Sequence, residues 1–348
     1  MKRIFLLTLL FFSLPACGYL TYNPFDLFDR GSSSPSRVSD PTLKLSLALG
    51  GVAPGREELL LIDASGNELS FADEIEVSCT ANPDIITIAA RDNFSSIAKG
   101  AGAKLTPTAE GVAEIRCTEN GTELDSVYEV TIPPQRLIQI LVAEAATQIA
   151  DEAETESGFV TLASQSTTAQ ALASVVKNRI DLILEDGNAG LFGADQVDFE
   201  ANAPVSYYNA VIEAPNQFSP VNTDDSSHAV YTNAQDRNFL SSSFHTAYDQ
   251  AVLTAAQIFN GDLSDSTGNA FGFRSPNAFQ WGLVSSALEN EAENLPDGIG
   301  FTDATFPTLS PLQILILPEI WTYSDGRASF IFARSLPNDT NIRVSDVL

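Results

Sequence analysis

The sequence predicts two folded domains of different class behind an export leader: an all-β sandwich first, then an α+β domain. Three observations predict this. Residues 4–14 carry no charge and follow Lys2-Arg3. Residues from about 41 to 133 show period-two alternation in short runs broken by turn residues. Apolar stripes at helical spacing begin just after Pro133-Pro134. These signals place the leader at 1–16, a tether at 17–38, the sandwich at 39–134 and the second domain at 135–348.

Composition fits this division. The 348 residues are 44% apolar and 18% charged, too apolar for a disordered chain and long enough for two cores. The formal net charge of −27 repels phosphate backbones and argues against nucleic acid as a partner. Two histidines in the whole chain argue against multi-histidine metal chemistry, and no cofactor is expected.

The eleven uncharged residues at 4–14 are too few to span about 30 Å of hydrocarbon as a helix, so they read as the core of a signal peptide. They end in Leu14-Pro15-Ala16-Cys17-Gly18, which resembles a bacterial lipobox. That resemblance implies lipid on Cys17, cleavage before it and membrane attachment through the anchor; ordinary secretion, with Cys17 lost or free, is the alternative. Residues 18–38 are rich in Ser and Pro and read as a tether. With Cys17 set aside, Cys79 and Cys117 remain, and an even pair in an exported chain is expected as a disulfide.

In the first domain, strands are expected at 43–49, 58–62, 75–79, 85–89, 112–117 and 127–132, with turns at Gly50-Gly51, Asn67, Asn82-Pro83-Asp84, Glu110-Gly111 and Asn120-Gly121. This spacing predicts an immunoglobulin-like (Ig-like) sandwich of roughly 90 residues. Cys79 and Cys117 are expected in opposite sheets, bridged across the core. The later half, "PDIITI…KLTPTAEGVAEIRCTENG…YEVTI", resembles bacterial Ig-like (Big) domains. No cluster of ionisable residues marks a site here, so a spacer or a contact surface is the expected role.

In the second domain, Leu137, Ile138, Ile140, Leu141, Val142, Ala145 and Ile149 form one apolar helical face with Glu144 set within it. A second helix is expected at 168–184, capped by Thr167 or Thr168, and a third at 244–260, stopped by Gly261. Four stretches then share a pattern: "TAQALASVVKNRI" at 168–180, "AVIEAPNQFSPV" at 210–221, "YDQAVLTAAQIFNGDLSDSTGNAFGF" at 248–273 and "GRASFIFAR" at 326–334. In this order they resemble the cell wall hydrolases related to the spore cortex-lytic enzyme SleB. The resemblance covers nearly all of 135–334.

It implies a lysozyme-like α+β domain that cuts peptidoglycan glycan strands, commonly as a lytic transglycosylase with a single catalytic glutamate. A glutamic acid in an apolar helix groove keeps a raised pKa and can protonate a glycosidic oxygen. Hydrolysis by water generally needs a second carboxylate. Two positions fit the acid: Glu144, behind the LIQILVA run, and Glu152, closer to Gln170. Either leaves an insertion at 154–167, and Ser329 stands where the family's last strand usually has histidine. The resemblance further implies sugar contacts from Asn178, Arg179, Gln217, Phe218 and Ser219, with Phe218 stacking on a pyranose. Thr267, Gly268 and Phe271 would form the opposite wall, and Tyr207, Tyr208 and Trp281 are further stacking candidates.

Other patterns carry less. Ser174-Val175-Val176-Lys177 matches the S-x-x-K of penicillin-binding enzymes without its companion motifs. His228 and His245 fit no zinc spacing, and Asp262, Asp265 and Asn269 do not form a calcium loop. The leading expectation is an envelope lipoprotein, on the periplasmic side of the outer membrane or at the cell surface, that cleaves glycan strands. The alternative is a catalytically inactive peptidoglycan-binding or adhesion lipoprotein.

Overall fold

The computed structural model describes residues 42–49, 58–60, 76–91, 94–100, 102–154, 166–200, 203–215, 217–276, 278–290, 314–315, 322–324 and 328–333. The leader, Cys17, the tether, the turns at Gly50-Gly51 and Asn67, and most of the 154–167 insertion lie outside the described residues.

Seven strands come first: β1 (Thr42–Ser46), β2 (Glu58–Leu60), β3 (Val77–Asn82), β4 (Ile86–Ala90), β5 (Gly102–Pro107), β6 (Gly111–Glu119) and β7 (Thr122–Ile132), with a short helix α1 (Ile97–Gly100) before β5. They form two sheets, ordered β1-β7-β6-β3 and β2-β5-β4. Alternation does the sorting: Ala113, Ile115 and Cys117 of β6 point inward while Glu114 and Arg116 face solvent. The inward residues of both sheets, among them Ile86, Leu105, Ile115, Tyr128 and Val130, share one core. The β6–β7 hairpin turns through Asn120 (φ 49°) and Gly121 (φ 78°), the left-handed pair that a two-residue turn requires.

Cys79 and Cys117 are bonded, but within one sheet. They sit directly opposite each other on the antiparallel neighbours β3 and β6, with Cα atoms 4.0 Å apart. This corrects the expected bridge between sheets. The chain leaves the first sheet after β3, builds β4 and β5 in the second, and crosses back as β6. Two crossings return it to the sheet it left, beside the strand it left.

The element type changes at Pro133-Pro134. Helix α2 (Gln135–Glu154) is the central element of the helical half. The other helices are α3 (Thr167–Asp186), α4 (Gln196–Glu200), α5 (Pro204–Glu213), α6 (His228–Asn233), α7 (His245–Asn260) and α8 (Ala278–Glu289). The strands β8 (Gly272–Arg274), β9 (Ile314–Leu315) and β10 (Ile331–Ala333) form a small antiparallel sheet ordered β8-β10-β9. Helices α3, α5, α6 and α7 all pack on α2 or on one another, and their apolar stripes merge into one core. Tyr207 and Tyr208 belong to that core, Tyr207 stacked on Phe199 at 4.9 Å, so neither is presented to a sugar.

Among the described residues, side-chain hydrogen bonds at three places tie the two halves together. Glu110, in the turn before β6, accepts from the Gln135 backbone N–H at 2.6 Å and so caps α2. Asn260, the last residue of α7, donates to Thr131 Oγ1 at 2.5 Å. Lys44 of β1 donates to both carboxylate oxygens of Asp262 at 2.8 Å.

Candidate functional site

Glu144 lies at a break in α2. The next residue, Ala145, has non-helical dihedrals (φ −146°, ψ 26°), so the helix is interrupted immediately behind the glutamate. Leu137 and Leu141 precede Glu144 on the same helical face and are fully buried. Glu144 keeps part of its surface open, and burial of the rest pushes its carboxyl up to about 8. Repulsion from Asp225 adds to the rise, and attraction to Arg179 opposes it.

Arg179 is the organising cation. It is 3% exposed, near the middle of α3, where Ser166 caps the N-terminus by accepting from Ala169 N–H at 3.0 Å. Its Nε donates to the Phe271 carbonyl at 2.7 Å and its Nη1 to Gln217 Oε1 at 3.1 Å. The guanidinium stands over the rings of Phe218 at 4.7 Å and Phe192 at 5.4 Å. Burial draws its pKa down to about 9, with Glu144 opposing the fall. It therefore stays a cation at neutral pH, solvated by a carbonyl, an amide oxygen and two ring faces.

Asn178, its neighbour on α3, holds the loop that follows α7. It donates to Thr267 Oγ1 at 3.2 Å and to the Ala270 carbonyl at 3.1 Å. The Thr267 hydroxyl in turn donates to Asp265 at 2.7 Å. Asp265 also takes the backbone N–H of Thr267 (2.8 Å) and Asn269 (2.5 Å), and these hydrogen bonds hold its carboxyl below its ordinary range against a burial cost. The loop turns through Gly268 (φ 56°) and Asn269 (φ 63°), a left-handed pair that a β-branched residue could not occupy without strain. Phe271 then joins the small sheet by donating its N–H to the Ala333 carbonyl at 2.9 Å.

Thus Arg179, Gln217, Phe218 and Phe271, drawn from three separate stretches, meet at one guanidinium, and Glu144 is coupled to it by charge. Asn178 and Thr267 brace the same place. Ser219 and Gly268 are exposed at its margin, opening the 3-10 turn Ser219–Val221 and the 265–271 loop. Phe218 corrects one expectation: at 3% exposure it gives its face to Arg179 instead of a pyranose. Phe271 is equally buried and packs on Phe192 at 6.1 Å.

Glu152 is placed elsewhere. Its Oε2 accepts from the Ser166 hydroxyl and from Thr168 N–H at 3.1 Å, and its Oε1 accepts from Thr168 Oγ1 at 2.5 Å. The carboxylate thereby sits at the positive end of α3. Thr168 is occupied by Glu152, which leaves Ser166, and not Thr167 or Thr168, to cap the helix. Ser329 is fully buried, with a hydroxyl that finds no partner among the described residues.

The sequence reading missed Asp225 and Phe192. Asp225 stands in "NTDDSSH", which reads as a solvated polar loop, and Phe192 in "NAGLFG", which reads as a turn. Neither carries a period that would flag it. Among the described residues no three His, Cys, Asp or Glu side chains gather as a metal site would need. No described helix is long and apolar enough to cross a membrane. Compared with protein-family models, curated proteins and solved structures, the chain finds no match in any of the three.

Proposed function

We propose that the chain is an envelope lipoprotein that cleaves the glycan strands of peptidoglycan, with Glu144 as the general acid. The observation that carries this reading is the convergence at Arg179: residues singled out from separate stretches surround one buried guanidinium that is coupled by charge to one raised carboxyl. A glutamic acid with a pKa near 8 is protonated at neutral pH and can give its proton to a departing glycosidic oxygen. Arg179 restrains that rise and steadies the carboxylate left after proton transfer. The Gln217 amide, with its oxygen on Arg179, keeps its N–H donors for a sugar acetamido group. Glu152 is assigned to the start of α3, as a structural anion. Lipid on Cys17 would hold the enzyme at the membrane, and the disulfide fits an exported compartment.

The test is digestion of purified sacculi with mass spectrometry of the released muropeptides. Wild type is expected to release them, and Glu144→Gln to lose about 10³-fold in rate, the usual weight of a positioned acid. Glu144→Gln acting at the wild-type rate would remove the assignment. Sedimentation with sacculi without release by the wild type would favour a binding protein.

A further inference from the structure

Cleavage by water needs a group to take the proton of the attacking water, and the candidate carboxylate is Asp225. It lies between the 3-10 turn Ser219–Val221 and α6, and both of these pack on α2. From α2, Gln139 donates to the Tyr231 carbonyl and Gln135 to the Ala234 carbonyl, each at 2.9 Å, so α6 is clamped to the helix that carries Glu144. At the other end, His228 Nδ1 donates to the Pro220 carbonyl at 2.9 Å and draws the start of α6 back over the 3-10 turn. Backbone bonds from Asn222 to Ser219, Asp225 to Asn222 and His228 to Asp225, at 3.0, 3.0 and 3.1 Å, close the intervening residues into successive turns. A few residues earlier in the chain, Gln217 and Phe218 touch Arg179. The segment 217–228 therefore runs from the guanidinium that attracts Glu144 to the carboxylate that repels it.

The Asp225 side chain is half-buried and oriented. Its Oδ1 accepts from the Ser227 N–H at 2.7 Å, which leaves Oδ2 for a further donor. Its charge repels that of the Glu144 carboxylate.

We propose that Asp225 is the second carboxylate of the site and makes the enzyme a hydrolase, not a transglycosylase; this rests on Glu144 as the general acid. In the step, the Glu144 carboxyl protonates the glycosidic oxygen as the bond from C1 to that oxygen breaks. Water forms the new bond to C1 and gives its proton to Asp225 Oδ2. The products are a reducing sugar and a free hydroxyl, one water having been added. Glu144 is left ionised and Asp225 protonated, and exchange with solvent restores both.

The experiment compares wild type, Glu144→Gln, Asp225→Asn and Asp225→Ala on purified sacculi, with product masses and thermal unfolding of each. Reducing-end muropeptides from the wild type are expected, with a fall of about 100-fold or more in Asp225→Asn. Sodium azide should restore cleavage by Asp225→Ala and yield a glycosyl azide, because azide attacks C1 without giving up a proton. Azide should not restore Glu144→Gln, which lacks the acid. Anhydro-muropeptides from the wild type, with Asp225→Asn within about threefold of it, would overturn the assignment of Asp225 and leave Glu144 in place. Loss of activity in both Asp225 variants with lowered melting and no azide product would reduce Asp225 to a structural residue. Release of nothing by the wild type overturns both readings together.

Discussion

The β-rich half and the helical half treat polar groups in opposite ways. In the sandwich, charges stay at the surface in pairs. Arg116 binds Glu114 and Glu123, with all three side chains about half exposed. Thr131 is the one buried polar residue found among its described strands, and it is used at the junction with α7. In the helical half, Gln139, Ser174, Asn178 and Arg179 are buried and hydrogen-bonded. Buried polar groups are costly unless satisfied, so a fold keeps many of them only where a network repays the desolvation. On the proposed function, stability is the business of the first half and chemistry that of the second. The difference also says where each half should fail.

The sharpest contrast is expected from the disulfide. Replacing Cys79 and Cys117 with alanine opens a loop with a sequence separation of 38, and by loop entropy that costs about 4 kcal/mol. The loss should fall on the sandwich transition in thermal or urea unfolding, while glycan cleavage by the folded protein is unchanged. A parallel loss of cleavage would break the division of labour between the halves.

The next effect is a pH dependence of the helical half. Glu144 has its folded pKa raised from 4.5 to about 8. The raised value means that its stabilising contribution is complete below pH 4.5 and is lost as pH climbs through 8. Glu144→Gln removes that loss. Relative to wild type, the variant should gain roughly 2 kcal/mol between about pH 5 and pH 9, less than the full shift because part of the carboxyl faces water. Urea midpoints of both proteins at the two pH values check this. Cleavage by the wild type should hold through neutral pH and decline as pH climbs through 8, where the folded acid loses its proton.

A smaller change separates the two glutamates of α2. Glu152→Gln weakens the anchor at the start of α3 and should cost about 1 kcal/mol, the scale of a cap or of a charge at a helix end. Cleavage should stay within about threefold of wild type if Glu144 alone supplies the proton. If Glu152→Gln abolishes cleavage with melting unchanged, the roles of the two residues are exchanged.

Legibility in the sequence tracked period and punctuation. Helices α2, α3 and α7 stand where apolar stripes and Gly261 place them, and the Asn120-Gly121 turn falls between strands as its residues require. Strand β5 carries no such signal, because Gly102–Pro107 is mixed in character and bounded by no strong turn. The sheet that receives β6 is also hidden, since pairing depends on how often the chain crosses the core and not on any local pattern. At the site, residues carried by motifs came together. Asp225 and Phe192 are invisible at that level, because each owes its position to tertiary packing of a short polar or glycine-rich loop.

The mildest test concerns the seam between the halves. Lys44 meets Asp262 through both carboxylate oxygens and lies 3.7 Å from Glu129, which raises the lysine pKa through hydrogen bonding and charge. The Lys44 and Asp262 side chains are 57% and 38% exposed, so water and salt screen the pair, and exposed pairs of this kind contribute about 0.2–1 kcal/mol. A double-mutant cycle with Lys44→Ala and Asp262→Ala should return a coupling in that range, shrinking as salt is raised. The better-shielded links at the same seam are Glu110 on the Gln135 N–H and Asn260 on Thr131. Removing Glu110 also uncaps α2, the helix that carries Glu144, so Glu110→Ala should cost more than Lys44→Ala by roughly the value of a cap, about 1 kcal/mol. If Lys44→Ala proves the more damaging of the two, the sandwich is held to the helices chiefly by charge. The contrast between a surface-charged half and a half built on buried polar groups would then end at the seam.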